Sequence, residues 1–147
     1  MDLRFSLCLP RDEASVPIAR RVCRGALRDL GVSEGCIDDI ALALTEACTN
    51  VLKHANGRDG EYQVDVDIGD SRCEISVADT GAGFDYGSAH YEIPFAAAEN
   101  GRGLHLMKVL VDDLKLMSKP DVDGTVVHLS KNLDLTDRSL LRRESSR

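Results

Sequence analysis

Three groups of residues have types and spacings that suit chemistry. Glu46 and Asn50 stand four apart, with Lys53 and His54 in the next turn, a spacing that stacks them on one face of a helix. This is the polar side of that helix. Asp79 is followed by Thr80-Gly81-Ala82-Gly83-Phe84, a carboxylate beside backbone bare enough for a flat ligand to approach closely. Gly101-Arg102-Gly103 precedes an apolar run that opens at Leu104. Free backbone N–H groups and the positive end of a helix dipole would meet an anion there, phosphate above all. Each group alone also suits a plain structural role: a solvated helix face, a turn cap or loop punctuation.

Other chemistries drop out. The sequence holds no G-x-x-x-x-G-K-[ST], H-E-x-x-H or G-x-S-x-G, and in Gly81-Ala82-Gly83-Phe84-Asp85-Tyr86-Gly87 the third glycine comes one place late for a dinucleotide fingerprint. His54, His90, His105 and His128 are scattered without ligand spacing. The five cysteines are odd in number and lack a C-x-x-C pair; each stands where an apolar residue is expected, so they read as small buried residues in a reducing compartment.

The elements that must position these groups follow from periodicity. Leu3, Phe5, Leu7 and Leu9 alternate with polar or small residues up to Pro10, a first strand. Ser15 can cap a helix whose stripe is Ala19, Val22, Cys23, Ala26, Leu27 and Leu30, stopped by Gly31; Arg20, Arg21, Arg24 and Arg28 line the rest. Ser33 can cap a second helix that turns Ile37, Ile40, Ala41, Leu44, Cys48, Val51 and Leu52 inward and closes at Asn56-Gly57. Strands over 61–68 and 72–79 alternate around Gly69-Asp70, a hairpin. Periodicity vanishes from Phe84 to Asn100, which reads as a long functional loop, a lid. A third helix is expected from near Gly103, burying Leu104, Met107, Leu110 and Val111; a last hairpin follows over 114–118 and 125–131, with Asp123-Gly124 at its turn. This order predicts an α+β fold, a two-layer sandwich with helices on one face of a mostly antiparallel sheet.

At 147 residues the chain is the length of one domain, and 43% apolar with 29% charged residues is a globular composition. A formal net charge of −7 gives no general basic footprint for nucleic acid or anionic lipid. No stretch approaches the roughly 20 apolar residues of a membrane span, so a cytoplasmic protein is expected. After Asn132 apolar residues thin out, and residues 133–147 read as a loosely ordered polar tail.

Taken together, Glu46-x-x-x-Asn50-x-x-x-His54-Ala55, Asp79-x-Gly81-x-Gly83-Phe84, Gly101-Arg102-Gly103-Leu104 and Asp123-Gly124-Thr125 resemble, in order and spacing, the N, G1, G2 and final Gly-Thr boxes of the GHKL (Bergerat-fold) ATPases. The resemblance implies a GHKL ATP-binding domain over 1–132. It implies that Asn50 ligates Mg²⁺ bridging the phosphates of ATP, that Asp79 accepts the adenine amino group and that Thr125 supports the adenine side. By the same resemblance Gly81 and Gly83 admit the base, Gly101, Arg102 and Gly103 cradle phosphate, and Lys53, His54, Phe84 and Leu104 complete the nucleotide site. Within the superfamily, the short chain and Thr45-Glu46-Ala47-Cys48-Thr49-Asn50 resemble the RsbW-like and SpoIIAB-like anti-sigma-factor serine/threonine kinases. That implies a usually dimeric protein that sequesters a sigma factor, with Glu46 as the catalytic carboxylate for phosphorylation of a STAS-type anti-anti-sigma protein. The alternatives are a nucleotide-binding module without phosphoryl transfer and a stand-alone histidine-kinase-like ATPase domain. The alanine-rich lid (Ala96, Ala97, Ala98) departs from the best-known members, poor in the lysine and threonine that would reach a terminal phosphate.

Overall fold

The computed structural model describes residues 1–54, 60–79, 91–93, 101–118 and 125–141. A strand β1 (Leu3–Pro10) leads through a single 3₁₀ turn (Glu13–Ser15) into α1 (Val16–Asp29) and then α2 (Glu34–His54). The hairpin β2 (Glu61–Ile68) and β3 (Arg72–Asp79) follows, then a short β4 (Tyr91–Ile93), α3 (Gly101–Leu110), β5 (Asp113–Ser118) and β6 (Thr125–Asn132). All six strands form one antiparallel sheet in the order β1-β2-β3-β6-β5-β4. The three helices share one face of it, α2 lying between α1 and α3 and over β3 and β6, which is the expected two-layer α+β sandwich.

Strand alternation builds the core. Tyr62, Val64, Val66 and Ile68 on β2 and Cys73, Ile75 and Val77 on β3 point at the helices, where Leu27, Ile37, Ile40, Leu44, Cys48 and Met107 meet them, all buried. The β2–β3 hairpin runs in register from Tyr62↔Asp79 to Ile68↔Cys73, so the alternation and the Gly69-Asp70 turn specify every pairing. On the far face of the sheet Ala78, Met117 and Val126 make a second, smaller buried cluster.

Several details differ from expectation. Ser15 sits at the N-cap of α1 but makes no capping bond with its side chain; its Oγ lies 2.6 Å from the Asp12 carbonyl, 3.0 Å from the Pro10 carbonyl and 2.8 Å from Tyr62 Oη. The hydroxyl thus ties the β1–α1 loop to the sheet. Val22, assigned to the inward stripe, is 40% exposed, on the flank of the face that Ala19, Cys23 and Leu27 bury. Arg24 and Arg28 do not form an open basic face: they reach Asp38 (2.7 Å) and Glu34 (2.8 Å) on the first turns of α2. Cys8 is exposed, whereas the other four cysteines are buried and none is in a disulfide. Burial pushes the Cys23 and Cys48 thiols up to about 12 and the Cys73 thiol well above its ordinary value, which leaves them protonated and unreactive.

The segment after Asn132 also differs from the loose tail expected of it. Ser33 N–H donates to the Asp134 carbonyl (2.7 Å), Thr136 N–H to Gly31 (2.8 Å), and Ser139 Oγ to the Leu30 carbonyl (2.6 Å). Leu135 bridges Val32, and Leu141 is wholly buried. A Cβ on Gly31, whose φ is +80°, would stand 2.5 Å from Ser139 Cα, so the bare turn between the helices is what lets the segment lie down. Residues 142–147, the turn at Asn56-Gly57 and the turn at Asp123-Gly124 lie outside the described residues.

Candidate functional site

The second helix carries the first group because its other face is committed to the core. Ile37, Ile40, Ala43, Leu44, Ala47, Cys48 and Val51 are buried, which leaves Glu46 and Asn50 half-buried and Lys53 exposed on the opposite stripe. For His54 only the backbone is described, at the last turn of α2.

The third helix brings the Gly101-Arg102-Gly103 group against the first. It begins at Gly101, two residues earlier than its apolar pattern suggested, and Leu104 (3% exposed), Met107 and Val111 anchor it. The Leu104 side chain is therefore committed to the core. Anchoring α3 there sets Gly103 directly beside Glu46: a Cβ on Gly103 would stand 2.9 Å from Glu46 Oε2. Glu46 thus sits at the N-terminal turn of α3, where unpaired N–H groups cluster. Arg102 lies in the same turn, its backbone alone described.

The Asp79 group stands at the end of the sheet. Asp79 closes β3, and the pairing Ala78↔Val126 sets the first residue of β6, Thr125, at the same end. Gly81, Gly83 and Phe84 lie outside the described residues, as does the proposed lid over 84–100 except for Tyr91–Ile93, which forms the edge strand β4. No local pattern announces β4, because its three residues owe their conformation to pairing with Leu116, Met117 and Ser118.

Sequence reasoning missed one residue altogether. Arg11, just past β1, forms an ion pair through Nη2 with Asp79 Oδ1; the two side chains are only 9% and 6% exposed. Arg11 also lines a cavity of about 600 Å³ with Thr49, Leu52 and Lys53 of α2. Nothing in the local sequence signals a partner 68 residues away.

The comparisons with known proteins bear on the same residues. Residues 9–131 match the histidine kinase-like ATPase domain. The chain belongs to this family. The serine-protein kinase RsbW of Bacillus cereus is 32% identical over 137 residues, covering 87% of this chain and 84% of its own, and proteins of that name from Bacillus anthracis and Bacillus thuringiensis match to the same extent. Among solved structures, the RsbU and RsbW domains of a Mycobacterium tuberculosis protein superpose with a TM-score of 0.67 at 21% identity, over 94% of this chain and 34% of that longer one, a likeness of fold. The histidine kinase-like ATPase sandwich is thus the frame in which Glu46, Asn50, Gly103 and Asp79 are placed. No helix among the described residues is long and apolar enough to cross a membrane.

Proposed function

We propose that this chain is an RsbW-type anti-sigma factor: an ATP-dependent protein serine/threonine kinase that holds a sigma factor and releases it on phosphorylating a STAS-type anti-anti-sigma protein. The observation that carries the reading is the approach of Glu46 to Gly103, a carboxylate at a helix N-terminus that would face phosphate, in a chain 32% identical to proteins named serine-protein kinases. Cytoplasmic action, a homodimer and a single ATP-binding unit belong to the same proposal, in keeping with the family that the motifs resemble.

In this reading the backbone N–H groups of Gly101, Arg102 and Gly103 hold the phosphates, and the absent side chain at Gly103 leaves room for the Glu46 carboxylate beside them. Glu46 orients the incoming serine hydroxyl and accepts its proton as the serine oxygen bonds to the γ-phosphorus of ATP and the bond to the bridging oxygen breaks to release ADP, a modest demand on a carboxylate when the transition state is loose. Asp79 receives the adenine amino group, with Thr125, Gly81, Gly83 and Phe84 around the base and Lys53 and His54 beside the ribose-phosphate. Asn50 offers an amide oxygen suited to Mg²⁺. When bound, Mg²⁺ neutralises charge across the phosphates.

Calorimetry with Mg-ATP, Mg-ADP and Mg-GTP, followed by phosphoryl transfer to candidate anti-anti-sigma proteins, tests this. Asn50→Ala should cut Mg-ATP affinity at least 10-fold, and Glu46→Ala should leave affinity within about 3-fold while abolishing transfer, as expected of a group that acts on the transition state. Adenine-selective binding by a wild-type protein that transfers phosphate to no such partner would reduce the chain to a nucleotide-binding regulator; no binding by folded protein would remove the ATP site.

A further inference from the structure

We infer that Arg11 is a positioning residue that sets purine selectivity through Asp79, a role that rests on the assignment of Asp79 to the base. The residue is held in place by its surroundings. Its backbone N–H donates to the Gly60 carbonyl (3.2 Å), just before β2. Its guanidinium lies over the Gly60 Cα, where a Cβ would stand 3.3 Å from both Cζ and Nη1. The loop is stiffened by the Asp12 carboxylate, which accepts from Ala14 N–H (2.9 Å), and by Ser15 Oγ, bound to loop carbonyls and to the buried Tyr62 hydroxyl. Tyr62 is also the cross-strand neighbour of Asp79. The loop, the hairpin and the ion pair therefore form one closed unit.

The chemistry of that unit favours one kind of base edge. A guanidinium has donors and no acceptor and stays charged at any working pH. Contact with it holds the Asp79 carboxylate through Oδ1 and presents it as an acceptor. A carboxylate has two oxygens and about four lone-pair sites, so it can accept an N–H from a ligand in addition to the contact with Arg11. A 6-amino purine supplies that donor. A 6-oxo purine brings a second acceptor against a buried anion, and a purine without a 6-substituent offers it no donor. Because Arg11 also lines the cavity shared with Thr49, Leu52 and Lys53, it joins the base-reading carboxylate to the helix that carries Asn50.

The test compares Mg-ADP, Mg-GDP and the Mg complex of purine riboside 5′-diphosphate, which lacks the amino group, by calorimetry on the whole chain. A charge-assisted hydrogen bond of ordinary strength gives the wild type a preference for ADP over the des-amino analogue of about 10- to 100-fold. Arg11→Gln should shrink that preference to about 3-fold or less, and Arg11→Lys, which keeps the charge, should restore most of it. A folded Arg11→Gln protein with wild-type selectivity overturns the inference, and so does equal weakening of all three ligands with their ratios intact, the mark of a merely structural role. If Arg11→Gln does not fold, the side-chain ¹⁵N resonances of Arg11 in the wild type decide: they should shift with ADP and much less with the des-amino analogue, and identical responses overturn it. The reading beneath fails separately: a wild type that binds ADP and the analogue equally takes Asp79 out of the base site, and one that binds no nucleotide takes away the site itself.

Discussion

Gly103→Ala is the sharpest probe of the proposed catalytic arrangement because it adds one methyl group at one contact. The new Cβ would stand 2.9 Å from Glu46 Oε2, closer than carbon and oxygen tolerate, so one of them must move. Leu104, Met107 and Val111 fasten α3 into the core, whereas the obstructing atom is the far end of a flexible side chain, and Glu46 yields. Forcing it off its rotamer costs about 0.5–1.5 kcal/mol. Alanine in the first turn of a helix regains up to about 1 kcal/mol of backbone entropy, so net stability should change by less than about 1 kcal/mol. If Glu46 orients the acceptor hydroxyl, its displacement should slow phosphoryl transfer about 10-fold or more, since about 1.4 kcal/mol of barrier is tenfold in rate. The backbone N–H of residue 103 is untouched, so Mg-ATP affinity should stay within about 3-fold. Single-turnover transfer, nucleotide calorimetry and a denaturant titration separate these effects. Unchanged transfer in a stable protein would refute the role given to Glu46, and equal losses in affinity and transfer would show that the glycine serves phosphate approach instead.

Two further outcomes follow from packing and ionisation. Leu141→Ala, at a wholly buried site, should destabilise the protein by about 2–5 kcal/mol in denaturant titrations; a change below about 0.5 kcal/mol would mean that the segment after Asn132 is detached in solution. Alkali should weaken the fold. Cys23 and Cys48 are raised from 9.0 to about 12 by burial, so their stabilising effect is complete below pH 9 and is lost as pH rises toward 12, because the unfolded chain releases protons that the native one retains. At pH 10 the two thiols together should cost about 3 kcal/mol, and replacing both with alanine should flatten that part of the stability profile.

What the sequence revealed was whatever rests on local repetition. The β2–β3 hairpin was legible to its end residues because alternation and the Gly69-Asp70 turn agree. The order of helices and strands, and the stripe of Glu46 and Asn50, followed from the same periodicities. Illegible features depend on partners remote in the chain. The β4 strand exists only on the edge of β5. Ser15, a good capping residue by type, instead has its hydroxyl hydrogen-bonded with that of Tyr62, 47 positions away. Leu133, Leu135 and Leu141 are too sparse to show a period, yet each finds a place against the core. The pairing of Arg11 with Asp79 has no local signature, since its energetics come from burial of both charges together.

The strap formed by residues 133–141 has a practical consequence. It fastens to the Leu30–Ser33 corner, whereas Asn50 lies sixteen residues along α2 from Glu34, a separation of about 24 Å at 1.5 Å per residue. Leu140 on this strap is 43% exposed. With the exposed Cys8 replaced by serine, a dye or surface linker attached through a cysteine at that position would report release of the strap while leaving the nucleotide end of the helix clear. Ligand occupancy and detachment of the strap can then be followed as separate signals in one molecule.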